Sequence, residues 1–369
     1  MTYLRQPPFS RDDLPTPALV IDQAALDRNI AAMAEWARSA GLRLRPHAKT
    51  HKSGEIARRQ IAAGAAGICC AKIGEAEALA AEGISDILIT SPVVAGQAVA
   101  RLARLNASVD RLQVVADHPD NVDRIAGAIG PGRLDMLVDI DTGRHRTGVT
   151  SPEAAVALAR RISASPSLSF QGVQFYCGNL QHVASLAARK EALAERAGYL
   201  QTFLDALVAA GLPAATITGG GTGSFAIDAE LGILNELQPG SYIFMDRQYR
   251  DCDPAGPVFE QSLTIDTRVV SANTPGRVTV DAGLKAMATE AGPPRLLDGA
   301  DPDSDYVFMG DEHGMLLTPE GAGDPRLDQR VALVPPHCDP TVNLYDRYAI
   351  CDGETVIGFW PVSARGRSA

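Results

Sequence analysis

Hydrophobic and polar positions follow two rhythms along this chain. Up to about residue 250, short apolar runs alternate with longer stretches in which apolar residues recur every three or four positions, a strand-then-helix pattern. Thr16–Ile21 (TPALVI) is the first run, and Asp22 is a good N-cap for the helical stretch AALDRNIAAMAEWARSA, which Gly41 stops. Leu42 and Leu44 then alternate with Arg43 and Arg45, the period of a half-buried strand, and Pro46 ends the pairing because it has no N–H to donate. GICCA, DILIT, LQVVA, DMLVDID, FQGVQFY and ATITGG read as further strands, and ELQPGSYIFMD offers an eighth. GEAEALAAEG, the runs around Ala98–Leu105 and Val122–Ile129, Pro152–Ser163 and Ala184–Ala210 read as the intervening helices. Repeated βα units imply a parallel sheet, and eight of them imply an α/β fold closed as a (β/α)8 barrel over residues 23–250. A doubly wound open sheet is the alternative; the strand count favours the barrel.

After about Asp251 the rhythm changes. SLTIDTRVVSA, RVTVDAG, YVFMG, RVALVPP, RYAICDG and TVIGFW alternate at period two between turn residues. Residues 251–369 therefore read as a second, all-β domain. The leading segment, residues 1–22, stands outside the barrel; its TPALVI strand pairs either with the barrel or with the β domain, and sequence alone leaves both open.

A length of 369 residues suits two domains. The net charge of −10 argues against nucleic acid or an anionic membrane as a partner, since both need a basic face. It leaves room for a small anionic ligand in a locally basic pocket such as Arg43–Lys52. No apolar run approaches the roughly 18 residues that cross a bilayer. The polar, proline-rich start has no apolar signal region, and the six cysteines are scattered without a CxxC. The expectation is a reduced cytoplasmic protein.

Candidate chemistry sits at strand ends. Lys49, in LRLRPHAKTHKS, follows the first barrel strand, and a βα loop there lies at the mouth where barrels do chemistry. The plainer reading makes Lys49 and Lys52 solvated loop cations. Gly219–Ser224 (GGGTGS) follows the seventh strand, where backbone N–H groups in a glycine-rich turn can approach a phosphate closely. Arg144 and Arg146 follow the fifth strand; Tyr176 and His182 follow the sixth. In the β domain, an extended His337-Cys338-Asp339 would turn His337 and Asp339 to one side and Cys338 to the other. A nitrogen and oxygen pair suits borderline-to-hard divalent ions. Asp311-Glu312-His313-Gly314 offers outer partners for such a site.

Taken together, RPHAKTHK, the glycine-rich loop, PGSYIFMD, GDEHG and PPHCDPTVNLYD resemble the D-threonine aldolase and D-serine dehydratase family, over nearly the whole chain and in the family's order. The resemblance implies an alanine-racemase-like barrel followed by a β domain, with pyridoxal 5'-phosphate as cofactor. It implies that Lys49 forms the Schiff base and that Arg146, Tyr176, Thr218, Gly220, Gly221, Thr222 and Tyr242 surround the cofactor. It further implies that His337 and Asp339 hold a divalent metal, Mn²⁺ or Mg²⁺ ahead of Co²⁺ or Zn²⁺, and that His182 is the base on the substrate hydroxyl. His-x-Asp is the aldolase form of the metal pair, whereas the dehydratases carry His-x-Cys. The implied reaction is cleavage of D-threonine and other D-3-hydroxy amino acids to glycine and an aldehyde, by a homodimer. Dehydration to a keto acid and ammonia is the alternative. Racemisation leaves the metal without a role, a non-catalytic pyridoxal-phosphate carrier leaves the β domain unexplained, and a metal-only hydrolase leaves Lys49 idle.

Overall fold

The computed structural model describes residues 5–130 and 132–369. Eight short strands form one parallel sheet in chain order: Arg43–Leu44, Ile68–Cys70, Asp86–Ile89, Arg111–Ala116, Leu134–Asp139, Leu168–Phe175, Thr216–Gly219 and Glu236–Leu237. The last of these pairs with the first. Closure between the first two runs just beyond the first strand, where His47 bridges Cys69, Cys69 N–H donates to the Pro46 carbonyl and Ala48 N–H donates to Cys69. The ring is thus a complete eight-stranded barrel. Its strands read as near-continuous apolar runs because both faces are covered. Ile87 and Ile89 join the helix-side core, while Leu88 packs with Cys69, Val115 and Leu137 from neighbouring strands to fill the interior.

The β domain is assembled from both ends of the chain. Ala18–Asp22 lies between Arg347–Asp352, to which it is parallel, and Leu263–Thr274, to which it is antiparallel. Phe9–Ser10 pairs with the outer strand Thr355–Pro361. Ten strands make up the sheet among the described residues. From its centre, Asp22 accepts the Ala25 N–H at 2.9 Å and starts the helix Gln23–Ser39, which packs Leu26, Ile30 and Met33 back onto the barrel. One hydrophobic cluster runs without a break from the barrel helices through Phe244, Leu263 and Tyr348 into the β sheet. The two parts therefore share a core, which holds their facing surfaces in one relation. No described helix is long and apolar enough to cross a membrane.

At the end of the barrel away from the strand C-termini, Arg45 is buried inside the ring. Its guanidinium pairs with Asp86 at 2.5 Å and Glu236 at 3.2 Å, spanning the first, third and eighth strands. Removing only the cation strands a buried carboxylate, because Glu236 keeps just the half-exposed Arg43 at 3.5 Å. Arg45→Met is expected to lower stability by about 3 kcal/mol, read as a shift in the urea unfolding midpoint; a loss below about 1 kcal/mol would show that the cluster is not a closure device.

Candidate active site

The C-terminal ends of the barrel strands open into a cavity of about 500 Å³ whose wall includes His47, Lys49, Thr90, Arg146, Tyr176 and Gln238. After Pro46 the chain makes a tight turn, with the Lys52 N–H bonded back to the Ala48 carbonyl at 2.7 Å. This turn separates the two lysines. Lys52 pairs with buried Glu75 at 2.9 Å. Lys49 stays 38 % exposed towards the cavity and meets Asp339 of the β domain at 2.5 Å. Burial opposes the charge of Lys49, but the Asp339 carboxylate outweighs that and raises its pKa. Asp339 is pushed up by burial and pulled further down by Lys49 and His337, so it is held well below the usual carboxylate range.

The segment carrying Asp339 is not extended. His337 has extended angles (φ −145°, ψ 119°), but Cys338–Val342 is a short helix. Asp246 accepts the Cys338 N–H at 2.9 Å, and Pro340 sits in the first turn, where its missing N–H costs nothing. Cys338 is therefore not turned away, contrary to the strand geometry expected from sequence. Its buried thiol donates to Asp339 Oδ1 at 3.4 Å, beside Ser241 Oγ at 3.3 Å. The expected outer partners also differ. Asp311 and Glu312 lie on the surface with Lys285, whereas His337 Nδ1 meets Glu290 Oε1 at 2.6 Å. A proton held at Nδ1 by that carboxylate leaves Nε2 as a lone pair, the arrangement of a metal-binding imidazole.

His182 lies in the loop after the sixth strand, its ring 4.3 Å from Tyr249 and 6.4 Å from His337. Its Nε2 is buried and has no partner among the described residues. Burial lowers its pKa to about 4. Burial therefore favours the neutral form of the ring.

In the glycine-rich turn, Gly220 has φ +68°, which a β-carbon would strain. Gly221 N–H donates to Ser224 Oγ and Gly223 N–H to Gln181 Oε1. The N–H groups of Thr222, Gly240 and Ser241 make no hydrogen bond to any described residue. The Thr222 hydroxyl is tied to the second of these segments by accepting the Tyr242 N–H at 3.0 Å. Unfilled backbone donors on two adjoining loops fit a phosphate group. Gly240 and Ser241 carried no distinct sequence signal beyond the PGSY turn.

The remaining expected residues divide. Arg146 lies over the Tyr176 ring, 5.9 Å from its centroid, and both line the cavity. Arg144 lines a smaller neighbouring pocket. Thr218 is buried and accepts from Gln238 Nε2 at 3.0 Å, so it supports a cavity residue rather than facing the cavity. The Tyr242 side chain points into the core, against Phe259, with its hydroxyl taking a hydrogen bond from Gln60 at 3.1 Å. Only its backbone reaches the glycine turn. Gln174 and Gln238, in contact at 3.4 Å, are polar residues within apolar strand ends, a signal that sequence inspection passes over. Gln174 donates to Asp139, whose carboxyl burial pushes up to about 6.

Comparison with known proteins shows the family and the fold. The model of the family "Alanine racemase, N-terminal domain" matches residues 21–248, and that of the "Putative serine dehydratase domain" matches residues 262–351. A D-threonine aldolase of Arthrobacter sp is 40% identical over 364 residues, covering 98% of this chain and 95% of that protein. A 3-hydroxy-D-aspartate aldolase of Paracoccus denitrificans (strain Pd 1222) is 40% identical over 370 residues, with 98% and 95% covered. The crystal structure of D-threonine aldolase from Filomicrobium marinum superposes with a TM-score of 0.95 at 37% identity, over 100% of both chains.

The Glu290 contact is directly testable. Glu290→Ala is expected to weaken Mn²⁺ binding about 10- to 100-fold in a chelator competition titration, and Glu290→Gln far less, because its amide oxygen still accepts the Nδ1 proton. Unchanged affinity in Glu290→Ala would remove His337 Nε2 as an oriented ligand.

Proposed function

The chain belongs to the D-threonine aldolase and D-serine dehydratase family, and on that premise we propose that it is a carbon–carbon lyase cleaving D-threonine and other D-3-hydroxy amino acids to glycine and an aldehyde. The observation that carries this reading is a convergence of three elements. The Lys49 amine of the barrel pairs with the Asp339 carboxylate of the β domain at 2.5 Å, His337 lies two residues from Asp339, and His182, with its unpartnered Nε2, has its ring 6.4 Å from that of His337.

Pyridoxal phosphate, when bound, supplies the sink for the electron pair released as Cα–Cβ breaks, and a divalent ion at His337 and Asp339 supplies a Lewis acid for the hydroxyl oxygen. Lys49 would hold the cofactor through its Nζ. The Thr222, Gly240 and Ser241 N–H groups would bind its phosphate from two loops at once. Arg146 and Tyr176 close one wall and limit water entry. His182, whose buried Nε2 has no partner among the described residues, is the group positioned to take the hydroxyl proton. One imidazole and one carboxylate favour Mn²⁺ or Mg²⁺ over a thiolate-seeking ion.

Dehydration would use the same amine and metal pair. Asp339, rather than a thiolate, supports cleavage as the first reading.

The experiment is chelation. Removing the metal is expected to abolish D-threonine cleavage while leaving the visible absorbance of the cofactor unchanged, because Lys49 and the phosphate loops belong to the barrel. Asp339→Ala should stay yellow and lose at least about 100-fold in kcat, with partial recovery at high Mn²⁺ through His337. Full cleavage in the presence of chelator would overturn the metal's part in the reaction.

A further inference from the structure

Gln181 precedes His182 in the chain and is fully buried. Its amide is completely engaged. Nε2 donates to Ser224 Oγ at 2.9 Å and to the Cys177 carbonyl at 3.3 Å, and Oε1 accepts the Gly223 N–H at 3.0 Å. Ser224 Oγ in turn donates to Asp228 Oδ2 at 2.7 Å and accepts the Gly221 N–H at 3.0 Å. One hydroxyl with one donor and two acceptor sites is thereby saturated.

The two glycines that flank Thr222 are both held by this network. Contact between the segments is also steric. A β-carbon at Gly223 would lie 1.9 Å from the Gln181 carbonyl oxygen, and one at Gly221 would lie 2.5 Å from Gln181 Oε1. On the far side of His182, buried Arg189 donates to the carbonyls of Val183 and Asp253, and Asp253 N–H donates to Ala184. His182 therefore projects from a peptide clamped at both ends, and the clamp at the Gln181 end is the back of the phosphate turn.

We propose that Gln181 is a positioning residue that couples the cofactor's phosphate turn to the proton-accepting His182. This inference rests on the assignment of a pyridoxal-phosphate site and of His182 as base. Order in the turn fixes the Gln181 amide, and the Gln181 backbone carries His182. Binding of the phosphate and placement of the imidazole are thus one event rather than two.

The test uses Gln181→Met, which keeps the volume and removes the hydrogen bonds, and Ser224→Ala, which removes the hub. Cofactor affinity is measured by absorbance titration of apoprotein, without substrate, so this readout does not depend on which reaction the enzyme performs. Each variant is expected to bind pyridoxal phosphate at least tenfold more weakly. The double variant should lose little more than the worse single one, because both break the same network. At saturating cofactor, Gln181→Met should show kcat reduced at least tenfold with KM within threefold. Cofactor affinity within threefold of the parent in both singles would overturn the proposal. Losses that multiply in the double variant would do the same, as would a lowered melting temperature with kcat per bound cofactor unchanged, which marks a structural role alone. If the affinity losses appear and His182→Ala keeps its activity, the role of His182 fails while the link from Gln181 to the phosphate turn stands.

Discussion

A hydrophobic core shared by the barrel and the β domain brings Lys49 of the one against Asp339 of the other. A lysine at the end of the first barrel strand and a carboxylate from the β domain stand 2.5 Å apart at the rim of a cavity, each keeping the other charged against the cost of burial. Such a pair exists only if the two parts of the chain are held in a fixed relation. The shared hydrophobic core does that, together with the helix Gln23–Ser39 that leaves the centre of the β sheet and packs on the barrel. A tether of flexible linkers would leave both charges in water.

Around that pair the site has a division of labour that follows from the architecture. Parallel strands end with their polar backbone facing one mouth, so donors for an anion come from the barrel at no cost in side chains. On the proposed function the groups that face the substrate's hydroxyl are His182 of the barrel, beside Tyr249, and His337 of the β domain, 6.4 Å from it and held by Glu290. On the same reading the phosphate turn and His182 both belong to the barrel, while the metal pair belongs to the β domain. Asp246 joins them, accepting the backbone N–H groups of Cys338 and of Tyr249 at 3.1 Å.

The barrel was legible because period-two and period-3.6 runs alternate cleanly, and even the two-residue strands Arg43–Leu44 and Glu236–Leu237 were marked by the prolines and glycines that follow them. Lys49 and the glycine turn were legible for the same reason: both sit where strands stop. The partner of the TPALVI strand was not, since an apolar run of five residues satisfies a barrel edge and a sheet centre equally. His337-Cys338-Asp339 was misread as extended because a helix of one turn has no periodicity to detect, and its start is set by Asp246, some 90 residues away in sequence. Glu290 and Gln181 lay beyond sequence reasoning because their roles are contacts across the fold, and a lone glutamate or glutamine announces nothing. Tyr242 was placed at the cofactor by its motif, but its ring finds more apolar surface in the core.

Incubation of the holoenzyme with D-threonine, followed by product analysis, tests the central claim most directly. Cleavage between Cα and Cβ predicts glycine and acetaldehyde in equal amounts, with no ammonia released. Formation of 2-oxobutyrate and ammonia would contradict it, because the hydroxyl would then leave as water instead of giving up only its proton.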